Sequence, residues 1–373
     1  MKILLFNFGN GVYAYATGDS LAVGGAERQQ WLLARALAAA GRSVTVGLQG
    51  IPELEAGTSI ENVRFVSLPE SKTCLAPYQR LLFLYRFLQS ELPDWWYWRC
   101  ANHLWGPAVG IAKHLGIKTI FAAGFDTDVQ PRRALAERSR WWPLYAWGLS
   151  NTDRIFVQHS GQLSELPPKL RFKTAIVPNM IPTYSKTKPH RERERYIAWV
   201  GMLRQPKRPD LLVEIANRAP NLRFVVCGAP SSHRSPNGYG APIVDAFKRL
   251  PNIDYRGQVS PEKAHEVIAS ASVLLCTSDE EGFPNIFLEA WASGTPVVSM
   301  KIDPDHSIER LKIGIVSKDI DQAIIDLTAL LESPLQREEI SLRGGRYVAE
   351  NHNQEVVTNA FHNAIKMDER LAP

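Results

Sequence analysis

Two glutamates, Glu281 and Glu289, stand eight residues apart within ASVLLCTSDEEGFPNIFLEAWASGTPVVSM, residues 271–300. Ionised carboxylates are strong acceptors for hydroxyl groups, so this pair suits a ligand rich in hydroxyls. Between them Pro284 fits the first turn of a helix, and a helix N-terminus offers backbone N–H groups and a positive dipole end to an anion. A nucleotide sugar laid across that terminus would place its diphosphate on the amides and its sugar and ribose hydroxyls on the carboxylates. Asp279, Glu280 and Glu281 also read more simply, as a solvated acidic run favoured by the helix dipole. The elements that must position these groups are legible nearby. Residues 272–276 are an apolar, partly β-branched run that fits a buried parallel strand. Residues 277–283 are a polar loop, 285–293 a helix stopped by Gly294, and 295–300 a second buried strand.

A second candidate is the loop 201–210, Gly-Met-Leu-Arg-Gln-Pro-Lys-Arg-Pro-Asp, between a strand at 196–200 and a helix at 211–218. Arg204 and Lys207 can meet a diphosphate with a planar fork and a point charge, although a basic loop is more commonly plain surface. A third is Phe125-Asp126-Thr127-Asp128, delivered by the strand 117–123 to a carboxyl-end loop, where open α/β sheets gather ligand groups. It reads as a metal motif or as an acidic turn. Gly24-Gly25 opens a helix at 26–40 after a loop from Asn10, and lets backbone approach a phosphate. No G-x-G-x-x-G accompanies it.

The full string E-G-F-P-N-x3-E-A-x2-S-G-T-P-V-V resembles the E-x7-E signature of the retaining glycosyltransferases of family 4, which have the two-domain GT-B fold. The resemblance implies two Rossmann-like doubly wound α/β domains facing a cleft, with a C-terminal helix crossing back onto the first. It makes Glu281 the acid nearest the donor sugar and Glu289 the partner of the ribose hydroxyls. Backbone amides of Gly282, Phe283, Pro284 and Asn285 line the sugar and diphosphate, and Gly257 and Val259 lie at the nucleotide base. Gly24 and Gly25, in G-G-A-E-R, take the place of the family's N-terminal glycine loop, across the cleft from the donor phosphates. Lys207 aligns with the family's phosphate-binding lysine. The arginine departs from the pattern: its usual place, directly after the glycine, holds Met202, and Arg204 is the substitute. W-Y-W-R-C and F-D-T-D-V-Q-P-R resemble a bacterial polysaccharide- or lipopolysaccharide-forming branch, whose acceptor lies near Asp126 and Asp128. The D-x-D metal reading belongs to single-domain transferases of another architecture. The implied activity is metal-independent hexosyl transfer with retention, from a UDP- or GDP-sugar to a glycan or lipid-linked acceptor, without a cofactor. A sugar-nucleotide epimerase of the same fold and a catalytically silent nucleotide-sugar-binding subunit are the alternatives.

The chain's 373 residues, 45% hydrophobic and 22% charged, allow two ordinary domains: 1–180, then a polar linker at 181–195 with a solvated charge run, 196–350, and 351–373 returning to the first. Four scattered cysteines without a C-x-x-C pair fit a reduced, cytoplasmic setting, and no apolar run reaches membrane-span length. The net charge of +5 is too small for a nucleic-acid binder lacking a recognised motif. The basic excess lies in the first half, with eight of the ten tryptophans. Basic residues interleaved with tryptophan mark either core packing, the preferred reading, or a face on an anionic membrane at the inner side of the cell envelope. Asp303-Pro304-Asp305-His306 is read as a loop rather than a metal site.

Overall fold

The computed structural model describes residues 1–7, 9–19, 24–49, 58–68, 77–135, 140–182, 184, 189–231 and 234–367. The chain forms two units, Met1–Met180 with Gln354–Pro373, and Ile181–Asn353.

In the first unit the strands are β1 (Lys2–Asn7), β2 (Ser43–Gln49), β3 (Ser59–Ile60), β4 (Val63–Leu68), β5 (Trp95–Arg99), β6 (Lys118–Ala122), β7 (Arg154–Val157) and β8 (Thr174–Ile176). They lie in the order β3-β4-β2-β1-β5-β6-β7-β8, parallel except for β3 on β4. The order reverses between β1 and β5, the arrangement of a doubly wound sheet. Alternation along β5 places three of the ten tryptophans. Trp96 and Trp98 enter one core with Trp105 and Phe121, while Trp95 and Tyr97 enter the other with Phe156. The centroids of Trp98 and Trp105 are 5.2 Å apart. Packing therefore accounts for these rings. Trp141 and Trp147 remain at the surface, 37% and 45% exposed.

The C-terminal helix Gln354–Ile365 belongs to this unit, and Phe361 packs edge-on against Phe156 with centroids 5.4 Å apart. Arg154 ties the helix end down: its Nε donates to the Ala364 carbonyl at 2.9 Å and its Nη2 to that of Met367. One local expectation changes here. The loop expected from Asn10 contains a helix, Gly11–Thr17, whose Val12 is buried in the core beneath β1 and β2. Beyond β6 the chain forms two helices, Pro131–Ala134 and Trp142–Asn151.

The second unit holds β9 (Glu194–Val200), β10 (Phe224–Cys227), β11 (Ile253–Gly257), β12 (Ala271–Cys276), β13 (Val297–Ser299) and β14 (Gly314–Val316). Their order is β11-β10-β9-β12-β13-β14, parallel throughout, and it reverses between β9 and β12. The expected linker is in part a piece of this unit's interior. Ile181 joins its core, and His190 and Arg193 are buried. The charge run is not wholly solvated because Arg193 has carbonyl work to do: it donates to the Ser293 carbonyl at 2.6 Å and to Thr295 Oγ1 at 2.8 Å, beyond the end of the helix Asn285–Ala292. Among the described residues no helix is long and apolar enough to cross a membrane.

Candidate active site

The strand β12 is buried along its whole length and delivers the loop 277–283 to the carboxyl edge of the second sheet. Beside it β9 delivers Gly201 and the turn Gln205–Lys207. The two loops are stitched together. Thr277 Oγ1 donates to the Lys207 carbonyl at 2.7 Å and accepts from Trp199 Nε1 at 2.9 Å, and the Asp279 amide donates to the Pro206 carbonyl at 2.8 Å. This frame sets Lys207 Nζ on Glu281 Oε1, so the two strongest sequence candidates form one ion pair.

The acidic run 279–281 is not a solvated face, since each member has a cation. Glu280 pairs with Arg234 and Glu281 with Lys207. Asp279 accepts from Arg208 Nη1 at 2.9 Å, and Arg208 also grips Asp210 with Nε at 3.0 Å from both oxygens and Nη2 at 2.7 Å from Oδ2. The hydrogen bonds to Asp210, then those to Asp279, hold the Arg208 guanidinium charged well beyond its ordinary range. Burial pushes the Asp210 carboxyl up, but Arg208 and the Tyr239 hydroxyl, 2.9 Å away, outweigh it and leave it below the usual range. Arg208, Arg234 and Thr277 are site residues that the sequence reading missed. The Asp two positions beyond Arg208 was the available signal; nothing local marks Arg234.

Arg204 opens the turn that carries Lys207, whose amide donates to the Arg204 carbonyl at 2.9 Å. Pro284 is the residue before the helix Asn285–Ala292 rather than its first, with an extended ψ of 122°. Gly282 and Phe283 precede it, and Asn285 begins the first turn. Glu289 lies on the buried side of that helix with Phe287 and Leu288. The carboxyl ends of β9, β10 and β11 crowd together beside this loop. Gly257 ends β11, and its carbonyl accepts from the Gly228 amide at 2.7 Å; Val259 packs against the core just beyond. Gly228 has φ +151°, and a Cβ there would lie 1.8 Å from the Gly201 carbonyl oxygen. Only glycine fits that approach.

The remaining candidates belong to the first unit. Gly24 precedes the helix Gly25–Ala39 with φ +109°. Asp128 is buried in a short turn, where its Oδ2 accepts from the amides of Gly124 at 2.7 Å and Phe125 at 3.0 Å. Its carboxylate shapes the turn. Asp126 is 49% exposed, with Oδ1 accepting from His159 Nε2 at 2.9 Å and Gln162 Nε2 at 3.0 Å. The structure thus separates two carboxylates that the sequence left equivalent. His159, buried, was not foreseen, being more than thirty residues away in sequence.

In the second unit Asp303, His306 and Glu309 offer ligand atoms within 4.8 Å of one another. The Asp303 oxygens accept from the amides of Ile308 at 2.7 Å and Glu309 at 3.3 Å, so that carboxylate caps the following helix.

Two family models match the chain: "Glycosyltransferase Family 4" over residues 23–184 and "Glycosyl transferases group 1" over 194–333. A curated relative, D-inositol 3-phosphate glycosyltransferase of Mycobacterium tuberculosis, is 32% identical over 116 residues, which are 29% of this chain and 23% of that protein's length. Among solved structures, Anabaena HepE in complex with UDP and glucose superposes with a TM-score of 0.77 at 12% identity, over 98% of this chain and 99% of the other. WaaG, a glycosyltransferase involved in lipopolysaccharide biosynthesis, superposes with a TM-score of 0.68 at 15% identity, over 98% and 100%. With the two family models spanning most of its length and both units built as doubly wound sheets, the chain belongs to the family 4, group 1 glycosyltransferases and has their GT-B fold.

Proposed function

We propose that this glycosyltransferase moves a hexose, with retention of configuration and without a metal, from a UDP- or GDP-sugar to a glycan or lipid-linked acceptor of a bacterial cell-surface polysaccharide. The observation that carries the reading is the Lys207–Glu281 pair at the carboxyl edge of β9 and β12, just before the helix Asn285–Ala292. An arriving diphosphate takes Lys207, and the freed Glu281 accepts from the donor sugar's hydroxyls. Arg204, Lys207 and the backbone N–H groups of Gly282, Phe283 and Asn285 then stabilise charge on the departing diphosphate, where preorganised donors are worth most. Glu289 accepts from the ribose, and backbone at Gly257 and Val259 takes the base. The acceptor oxygen enters from the leaving group's side and passes its proton to the leaving phosphate, with Asp126, held by His159 and Gln162, ordering the acceptor. HepE's UDP supports the donor class, and WaaG's process supports the acceptor class.

The same reading places the enzyme in the cytoplasm, at the inner face of the membrane. Trp141, Leu144 and Trp147 recur at helical spacing and are exposed, and Arg140 and Arg132 stack over Trp141 and Trp142 at 5.6 and 5.1 Å. Exposed tryptophan beside arginine suits an anionic lipid surface.

The deciding experiment incubates the protein with each nucleotide sugar and candidate acceptors in the presence of a chelator. The anomeric configuration of the product is then read by NMR. Glu281→Ala is expected to abolish transfer while the chain still folds, with its melting temperature lowered by the loss of the ion pair; full activity in that variant would remove the site assignment. An inverted product would refute retention.

A further inference from the structure

A small cavity lies at the carboxyl edge of the first sheet, against the ends of β5, β6, β7 and β8, and Arg99 lines it. Arg99 is the last residue of β5. Its Nη1 donates to the Tyr97 hydroxyl at 3.2 Å and its Nη2 to Asn179 Oδ1 at 2.9 Å. Both acceptors are neutral. Its Nε is buried with no acceptor, and no carboxylate lies within ion-pair distance of it among the described residues. Asp128, the nearest acidic influence, spends its Oδ2 on the amides of Gly124 and Phe125.

Removing a guanidinium from water without a counter-ion is costly, and such groups in folded proteins are paired. Arg99 does not escape by losing its proton. Burial works against its charge, but the surroundings, Tyr97 foremost, hold it above its ordinary range. The other polar side chains cannot supply the missing charge. Gln29 is occupied at both ends by the Met180 backbone, donating to its carbonyl at 2.8 Å and accepting from its amide at 2.7 Å. Gln158 Nε2 shares Asn179 Oδ1 at 3.2 Å. Leu33, Phe156 and Val357 complete the wall, and apolar walls strengthen any ion pair formed between them.

We infer that this cavity is an oxyanion site, in which Arg99 takes a carboxylate or phosphate group of the acceptor. A guanidinium fork with an unpaired Nε–H matches the two oxygens of such a group. The volume of about 20 Å³ admits one small group, not a sugar ring, so the anion is a substituent that anchors the acceptor rather than the acceptor's body. Two sources share this chemistry, the carboxylate of an acidic sugar and a phosphate ester. The assignment to the acceptor rests on reading the first unit as the acceptor side; the anion site itself does not.

The test is calorimetric titration of the full-length protein, at constant ionic strength, with glucuronate, inorganic phosphate and, as uncharged control, glucose. Arg99→Gln and Asn179→Asp are titrated alongside. Only binding lost in Arg99→Gln counts, since phosphate also meets the diphosphate site around Lys207. Wild type is expected to bind at least one anion and not glucose, the tighter anion naming the source, with affinity at least tenfold weaker in Arg99→Gln. Asn179→Asp sets a carboxylate of the chain's own beside Nη2, so it is expected to abolish anion binding while raising the melting temperature. If Arg99→Gln does not fold, Asn179→Asp decides alone. Equal anion binding by wild type and either variant, or none by wild type, overturns the inference. Turnover of nucleotide sugar is measured on the same samples. Anion binding without any transfer would refute the proposed function and leave the site standing; transfer without Arg99-dependent binding would do the reverse.

Discussion

Lys207 and Glu281 hold each other at the ends of two adjacent strands, with their side chains 15% and 9% exposed. On the proposed reading, the cation that meets the donor is already in place, and neutralised, before the donor arrives. Binding would then be an exchange of partners rather than the filling of an open positive hole.

That exchange has a stability signature. Removing one member of a buried pair leaves the other charged and unpaired, at a cost of about 3–5 kcal/mol. Lys207→Met is expected to lose about that much in urea unfolding, and Lys207→Met with Glu281→Gln to regain most of it. Both proteins should be inactive. A single variant as stable as wild type would show that the pair does not persist in solution.

Gly228→Ala tests the close approach of Gly228 to Gly201 beyond the carboxyl ends of β10 and β9. The substitution meets the Gly201 carbonyl and a φ that side chains rarely adopt, so a destabilisation of about 1–3 kcal/mol or more is expected. Nucleotide binding should weaken with it. Wild-type stability in this variant would mean that β9 and β10 part more easily than their hydrogen bonding suggests.

The buried segment before β9 carries a pH dependence. Burial, then Arg193 and Arg337, lower the His190 imidazole to about 4. Between that value and its ordinary range the unfolded chain binds a proton that the folded one does not, so stability falls as pH drops through this window and is fully present above it. Melting temperatures of wild type and His190→Gln, compared from pH 7 to 4, should diverge, with the variant losing less on acidification. Parallel curves would count against it.

Trp141→Ser with Trp147→Ser is expected to lower co-sedimentation with vesicles of anionic phospholipid and leave neutral vesicles indifferent. Both rings are at the surface, so stability should change by no more than about 0.5 kcal/mol each. Unchanged sedimentation would remove the membrane-facing role of that helix.

The parallel strands were legible because they are continuous apolar runs bounded by glycine and proline, and residues 271–300 carried most of the site in order. What the sequence withheld is of one kind. Arg193, Arg208, Arg234 and His159 are charged or titratable residues whose partners lie far along the chain, and periodicity says nothing about such pairings. A charge run therefore looks solvated until the fold brings carbonyls and carboxylates to it, as with residues 189–194 and 279–281. The helix Gly11–Thr17 was hidden for another reason: its flanking Gly9-Asn10-Gly11 signals a turn, and only Val12 packing into the core overrides that signal.

The return of residues 354–365 to the first unit fixes an order of events as the protein is made. The second unit is continuous from Ile181 to Asn353 and holds all its strands before the last helix leaves the ribosome. The first unit, though synthesised earlier, lacks Phe361 beside Phe156 and the carbonyls that satisfy Arg154 until residues 361–367 have been made. The first unit is thus completed after the second, and a chain that stops short of Phe361 leaves a hole in the part that was translated first.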